Sequence, residues 1–87
     1  MSTPGTADRA RVTLYSRPGC HLCADARTVI ATVCAELGVE WDETDITTDD
    51  RLEARYREQI PVTLVDGRQH DFWRVDPARL RAALGAS

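Results

Sequence analysis

Two thiols stand three residues apart in Cys20-His21-Leu22-Cys23, a spacing that permits a reversible disulfide. At the start of a helix such a pair shares one face with Cβ atoms about 5–6 Å apart, close enough to bridge after a small local adjustment. Cys20 then sits where unpaired backbone N–H groups and the positive end of the helix dipole favour a thiolate, which makes it the expected nucleophile. Cys23, one turn further in and better covered, is placed to attack a mixed disulfide on Cys20 and release the reduced partner. His21, when charged, would stabilise the Cys20 thiolate and make the disulfide more oxidising; an exposed histidine without a role fits the sequence equally well.

The competing chemistry is a tetrahedral zinc site, which needs two further Cys or His ligands. Only Cys34, His21 and His70 remain. Cys34 lies eleven residues beyond Cys23 on the same expected helix, about 16 Å along the axis, too far to share a metal or a disulfide with the pair. It falls on the apolar stripe beside Ile30 and Val33 and reads as a small buried hydrophobe. His21 turns poorly toward a metal held by its own neighbours, which leaves His70 alone. A redox pair is the reading that a Cys-x-x-Cys in a βαβ context favours.

Positioning that pair takes a strand before it and a helix after it. Arg11 to Ser16 alternates apolar with polar residues around Val12 and Leu14, and Pro18-Gly19 stops this strand. From Cys20 the apolar residues Cys23, Ala26, Ile30, Val33, Cys34 and Leu37 recur at helical spacing until Gly38, a left-handed cap. Val39 to Ile46 alternates again, so two strands flank one helix and should run parallel. Thr47 or Thr48 caps a second helix expected to reach about Gln59, with Leu52, Tyr56 and Ala54 as its apolar side. Asp66-Gly67 between Ile60–Val65 and Arg68–Val75 signals a hairpin. Phe72 and Trp73 alternate on its second strand, so at least one is partly exposed and available to a partner. Asp76-Pro77 opens a last helix with Leu80 and Leu84 inward. The expected order is β-α-β-α-β-β-α, with 1–10 a flexible leader, 11–84 a single domain and 85–87 a tail.

Composition narrows the function. Eighty-seven residues suffice for one small core. A net charge of −3, with all eleven basic residues Arg and interleaved with acids, argues against a nucleic-acid partner and for a solvated surface. No window nears the roughly eighteen apolar residues of a membrane span, and the first ten lack the basic start and apolar run of a secretory signal. The cytoplasm is the expected location. There an odd count of three cysteines gives no structural framework, and any disulfide should be transient.

The segment from Val12 to Cys23 (Val-Thr-Leu-Tyr-Ser-Arg-Pro-Gly-Cys-His-Leu-Cys), its helix, and Ile60-Pro61-Val62 opening a hairpin resemble the glutaredoxin branch of the thioredoxin fold over nearly all of residues 11 to 84. The resemblance implies an α/β domain with a four-stranded mixed sheet in order 2-1-3-4 and helices on both faces. It implies thiol–disulfide oxidoreductase activity, with Cys20 attacking and Cys23 resolving. It also implies a cis-proline at Pro61 that exposes the backbone of Ile60 to an extended substrate, with Val62 lining the groove, and Arg17 as the carboxylate contact for glutathione. Glutathione is then a co-substrate with no bound organic cofactor, the partners are a disulfide-containing protein or a small thiol and a glutathione or thioredoxin-reductase-type electron donor, and a monomer is expected.

The departures are specific. His-Leu replaces the usual Pro-Tyr between the cysteines, and no Gly-Gly-acid stands in Arg68 to Arg74 to grip the far end of glutathione. Compared with thioredoxin, Gly19 replaces the tryptophan before the first cysteine, and Leu14 stands where a buried acid is expected. Two other classes stay open: a metal or iron–sulfur binding module using the Cys20 thiolate, and a redox-inactive adaptor on the same fold.

Overall fold

The computed structural model describes residues 10–85. The leader expected over 1–10 thus lies, except for Ala10, outside the described residues, as do positions 86 and 87 of the tail. The elements are β1 (Val12–Ser16), α1 (His21–Leu37), β2 (Trp41–Asp45), a 3₁₀ turn (Ile46–Thr48), α2 (Asp50–Tyr56), β3 (Val62–Val65), β4 (Arg68–Phe72) and α3 (Pro77–Gly85). The sheet has the order β2-β1-β3-β4. β1 pairs parallel with β2 and antiparallel with β3, and β3 pairs antiparallel with β4. This is the mixed four-stranded sheet expected above.

Alternation along the central strands divides the core between the two faces. Val12, Leu14 and Val65 pack against Ala26, Ile30, Val33 and Cys34 of α1 and against Leu80 and Leu84 of α3. On the other face Val62, with Tyr15 and Leu64 against it, meets Ile46 of the 3₁₀ turn, Tyr56 of α2, Ile60 and Cys23. Leu14, Ile30, Ile46 and Leu80 are fully buried, and each such side chain contributes about 1.5–3 kcal/mol. The exposed pairs Arg11–Asp66 and Arg81–Glu36 add little beside that. Cys34 is 1% exposed within the first cluster, as its place on the apolar stripe predicts.

Turn chemistry fixes the connections. Gly38 ends α1 at φ 68°, its N–H donating to Cys34 O. Asp66 at φ 52° and Gly67 at φ 82° both lie in the left-handed region, which gives the two-residue hairpin between Val65 and Arg68 the twist its strands require. Asp76 accepts from the N–H groups of Ala78 and Arg79 at 2.9 and 3.3 Å and so caps α3.

Several expected elements are shorter, with β2 spanning Trp41–Asp45 rather than Val39 to Ile46 and β3 Val62–Val65 rather than Ile60 to Val65. The helix predicted from Thr47 or Thr48 to about Gln59 is split, because two aspartates intercept its first N–H groups. Asp45 accepts from Thr47 N at 2.8 Å and starts the 3₁₀ turn; Asp49, extended at φ −142°, accepts from Arg51 N at 2.9 Å and caps α2. Ala54 is exposed, so Tyr56 and Leu52 alone give α2 an inward side. After Tyr56 a turn closes through Gln59 N to Tyr56 O at 2.7 Å, and the residue before a proline, here Ile60, is barred from continuing a helix. The fourth strand ends at Phe72 rather than Val75, where Trp73 at φ 66° leaves the β region and turns the chain off the ladder.

Candidate active site

β1 ends at Ser16, and the turn Arg17-Pro18-Gly19 delivers the chain to the start of α1, with Gly19 at φ 76°. Cys20 is the N-cap residue, extended at φ −97° and ψ 115°. Its Sγ accepts the backbone N–H of Cys23 at 3.2 Å, the bond that an Asp or Ser side chain makes at other helix starts. Cys20 is half-buried, and Cys23 behind it is 1% exposed in the cluster with Ile46, Tyr56, Ile60 and Val62. All three cysteines are free thiols. Burial pushes the Cys23 thiol up from its ordinary 9.0 to about 11; the hydrogen bond with Cys20 adds to this, and the Arg17 backbone and charge pull the other way. Cys23 is therefore held protonated at neutral pH. Burial alone also raises Cys34.

Of the residues singled out from sequence, the structure gathers Cys20, Cys23, Ile60 and Val62 in one packed group. The Ile60–Pro61 peptide is cis and Pro61 is fully buried. Pro61 O accepts the N–H of Trp73 at 2.7 Å, whereas the N–H and C=O of Ile60 form no hydrogen bond among the described residues. Arg17 and His21 are both exposed, and neither side chain forms a hydrogen bond or ion pair among the described residues. No group of three or more His, Cys, Asp or Glu side chains suited to a metal ion occurs among them, so His70 does not complete a ligand set with the pair.

Sequence reasoning missed an ionic fork beside the dithiol. Arg27, one turn beyond Cys23 on α1, grips Glu43 of β2 with both arms, Nε to Oε1 at 2.8 Å and a terminal nitrogen to Oε2 at 2.7 Å. Ser16, buried at the end of β1, donates to the same Oε2 at 2.6 Å. The hydrogen bond from Arg27 holds the Glu43 carboxyl below its usual range against partial burial, with Ser16 helping. Arg27 is raised by that same bond and by the Glu43 charge, and further by Cys23 and Cys20, which places a fixed cation within electrostatic reach of both sulfurs. Only its position four residues after Cys23 hinted at this.

Known proteins of similar sequence and fold identify the family. The model of the glutaredoxin-like domain (DUF836) matches residues 11–85. An uncharacterized protein of Mycobacterium tuberculosis is 36% identical over 84 residues, which cover 91% of this chain and 87% of the relative. The X-ray structure of the protein XcR50 from X. campestris is 36% identical, with a TM-score of 0.72 over 87% of this chain and 97% of that one. A mutant thioredoxin of Halobacterium salinarum, 18% identical, superposes with a TM-score of 0.63 over 93% of this chain and 78% of its own, which speaks to the fold alone. Strand order, the dithiol at a helix start and a family match over 11–85 converge on one conclusion: the chain belongs to the glutaredoxin-like domain family on the thioredoxin fold.

Proposed function

We propose that this protein is a dithiol thiol–disulfide oxidoreductase. The observation that carries the reading is the asymmetry of the pair: Cys20 stands half-exposed at the helix start with the Cys23 N–H on its sulfur, while Cys23 is buried and held as a thiol. The Cys20 thiolate attacks one sulfur of a substrate disulfide, forms a mixed disulfide and expels the first substrate thiolate. Cys23 then loses its proton and attacks the Cys20 sulfur, closing the Cys20–Cys23 disulfide and expelling the second thiolate. The substrate gains two electrons and two protons, and the dithiol loses them.

Several roles follow from the same reading. The open backbone of Ile60 pairs with an extended substrate, Pro61 fixes the segment, and Val62 backs it. Arg17 reaches the carboxylate of glutathione, and glutathione or a thioredoxin-reductase-type donor returns the protein to the dithiol form in the cytoplasm. No helix among the described residues is long and apolar enough to cross a membrane.

The test is a redox titration of the metal-free protein in glutathione buffers, with free thiols alkylated and counted by intact mass. Reversible loss of two thiols, with Cys34 unchanged, is the expected result, and a midpoint near about −200 to −230 mV would couple the protein to glutathione. Three thiols that stay free across the range would sink the proposal in favour of the metal-binding or adaptor class.

A further inference from the structure

Trp73 gives three hydrogen bonds to one short stretch of chain, residues 58–61. Its backbone N–H is shared between Pro61 O at 2.7 Å and Gln59 O at 3.4 Å, and its indole Nε1 donates to Glu58 O at 3.1 Å. A bulge brings it there: Leu64 stands opposite Gln69 but Thr63 opposite Asp71, so His70 is an extra residue and the chain after it is shifted by one against β3. The φ of 66° then turns Trp73 off the ladder, at a cost to a bulky residue. Such strain persists where the surroundings over-determine it, and here the three carbonyls do so.

The same stretch covers a thiol. Ile60, 7% exposed, packs with Val62, Ile46 and Tyr56 around Cys23, which is 1% exposed, and Pro61 beside it is fully buried. Burial is the largest cause that raises this thiol to about 11. Besides Cys20, the groups that act on it are the cations Arg17 and Arg27; both favour its ionised form, so the cover and not the charges keeps the proton on. A group buried in this way reacts with solvent species when its cover opens locally, and the opened fraction depends on the bonds that hold the cover down. Gln59 N–H to Tyr56 O at 2.7 Å and the Gln69 amide on the Gln59 side chain at 2.9 Å also tie the stretch.

We propose that Trp73 is a positioning residue for the dithiol: it fastens residues 58–61 over Cys23, so that this thiol is withheld from solvent species and meets only the sulfur of Cys20. On the inner side of the cover the Cys23 N–H already lies on that sulfur, at 3.2 Å. The proposal deepens the oxidoreductase reading and rests on it for the use of the shielding: Cys23 is kept from a second substrate disulfide that would cap it before it resolves the first.

The experiment uses the full chain with Cys20→Ser, which keeps a capping oxygen and leaves Cys23 and Cys34 as the thiols. Both are alkylated with iodoacetamide, and the sites are followed separately by peptide mass over time and pH. Trp73→Phe keeps an aromatic ring and the backbone N–H but removes the indole donor. Cys23 should then react about 2- to 10-fold faster, with the Cys34 rate unchanged. In parent and variant the Cys23 rate should climb with pH around the ordinary 9.0, the mark of reaction through the opened cover. Trp73→Gly adopts a left-handed φ without strain and keeps the backbone N–H, and the same increase is expected there, so the outcome does not hang on how Phe fits. An unchanged Cys23 rate in both variants, an equal rise at Cys34 in the other core cluster, or a climb that waits for about 11 would overturn the proposal. None of these readouts involves disulfide exchange. A parent protein that shields Cys23 in this way but fails the redox titration would strike at the oxidoreductase reading instead.

Discussion

The N–H of Cys23 donates to Sγ of Cys20 across 3.2 Å, so the main chain already joins the two members of the pair before any S–S bond forms. The first sulfur is the helix cap and the second is inside the first turn. Replacing Cys20 by Ser keeps a capping oxygen but removes the proposed nucleophile, and disulfide exchange should vanish with little loss of fold. Replacing Cys23 by Ser should leave a mixed disulfide on Cys20, visible as the added mass of one substrate thiol. A Cys20→Ser protein that still turns over would refute the assigned roles.

The burial of Cys23 sets an alkaline limit on the reduced protein. In the unfolded chain the thiol ionises around its ordinary 9.0, and in the folded chain it keeps its proton up to about 11. Between these values the unfolded state binds fewer protons, so stability falls as pH rises through the interval. Denaturant midpoints of the reduced protein should decline from about pH 9 to 11, and Cys23→Ala should flatten the slope, leaving the parts due to Cys34 and Tyr15, both also raised by burial. At neutral pH a water-soluble alkylating agent should modify half-exposed Cys20 first and leave Cys23 and Cys34 untouched.

Glu43 acts at the other end of the scale. Its carboxyl is held below the usual 4.5 by Arg27 and Ser16, so the folded state keeps it charged at pH values where the unfolded chain takes up a proton. That contribution is complete above the ordinary carboxylate range and disappears as pH falls through the lowered value. Glu43→Gln should give a modest loss of Tm at neutral pH and a shallower acid limb. Because the substitution also frees Arg27 near both sulfurs, the midpoint potential of the Cys20–Cys23 couple should shift in the same variant. A potential identical to that of the parent protein would confine the fork to a structural role.

Ile46 is fully buried between the sheet and α2 in the cluster that holds Cys23. Truncation to Ala should cost about 2–5 kcal/mol, read from urea unfolding. Gly38→Ala tests the backbone instead. A Cβ there meets nothing within 4 Å, so the expected loss of about 1–2 kcal/mol comes from the left-handed φ of 68° alone.

What could be read from the sequence and what could not divides by the range of the signal. The Asp66-Gly67 hairpin, the Gly38 stop, the Asp76-Pro77 helix start and the stripe from Cys23 to Cys34 are each written within a few neighbouring residues, whereas the strand order rests on the resemblance to the glutaredoxin branch. The split at Asp49 was hidden because Thr47, Thr48 and two aspartates are all good caps, and local propensity does not rank them. Trp73 was read as a strand residue, as its aromatic ring and alternation suggest; its left-handed φ comes with the bonds to Pro61 and Glu58, elements remote in sequence. The Arg27–Glu43–Ser16 fork joins three different elements, so no window of sequence contains it.

The strand order leaves β2 at one margin of the sheet, and three of its five residues are acids: Asp42, Glu43 and Asp45. A strand from another molecule added there would bring two acidic ribbons into register and take them out of water, a cost that like-charge repulsion compounds. The acids at this margin therefore disfavour edge-to-edge pairing of one copy of the chain with another through β2.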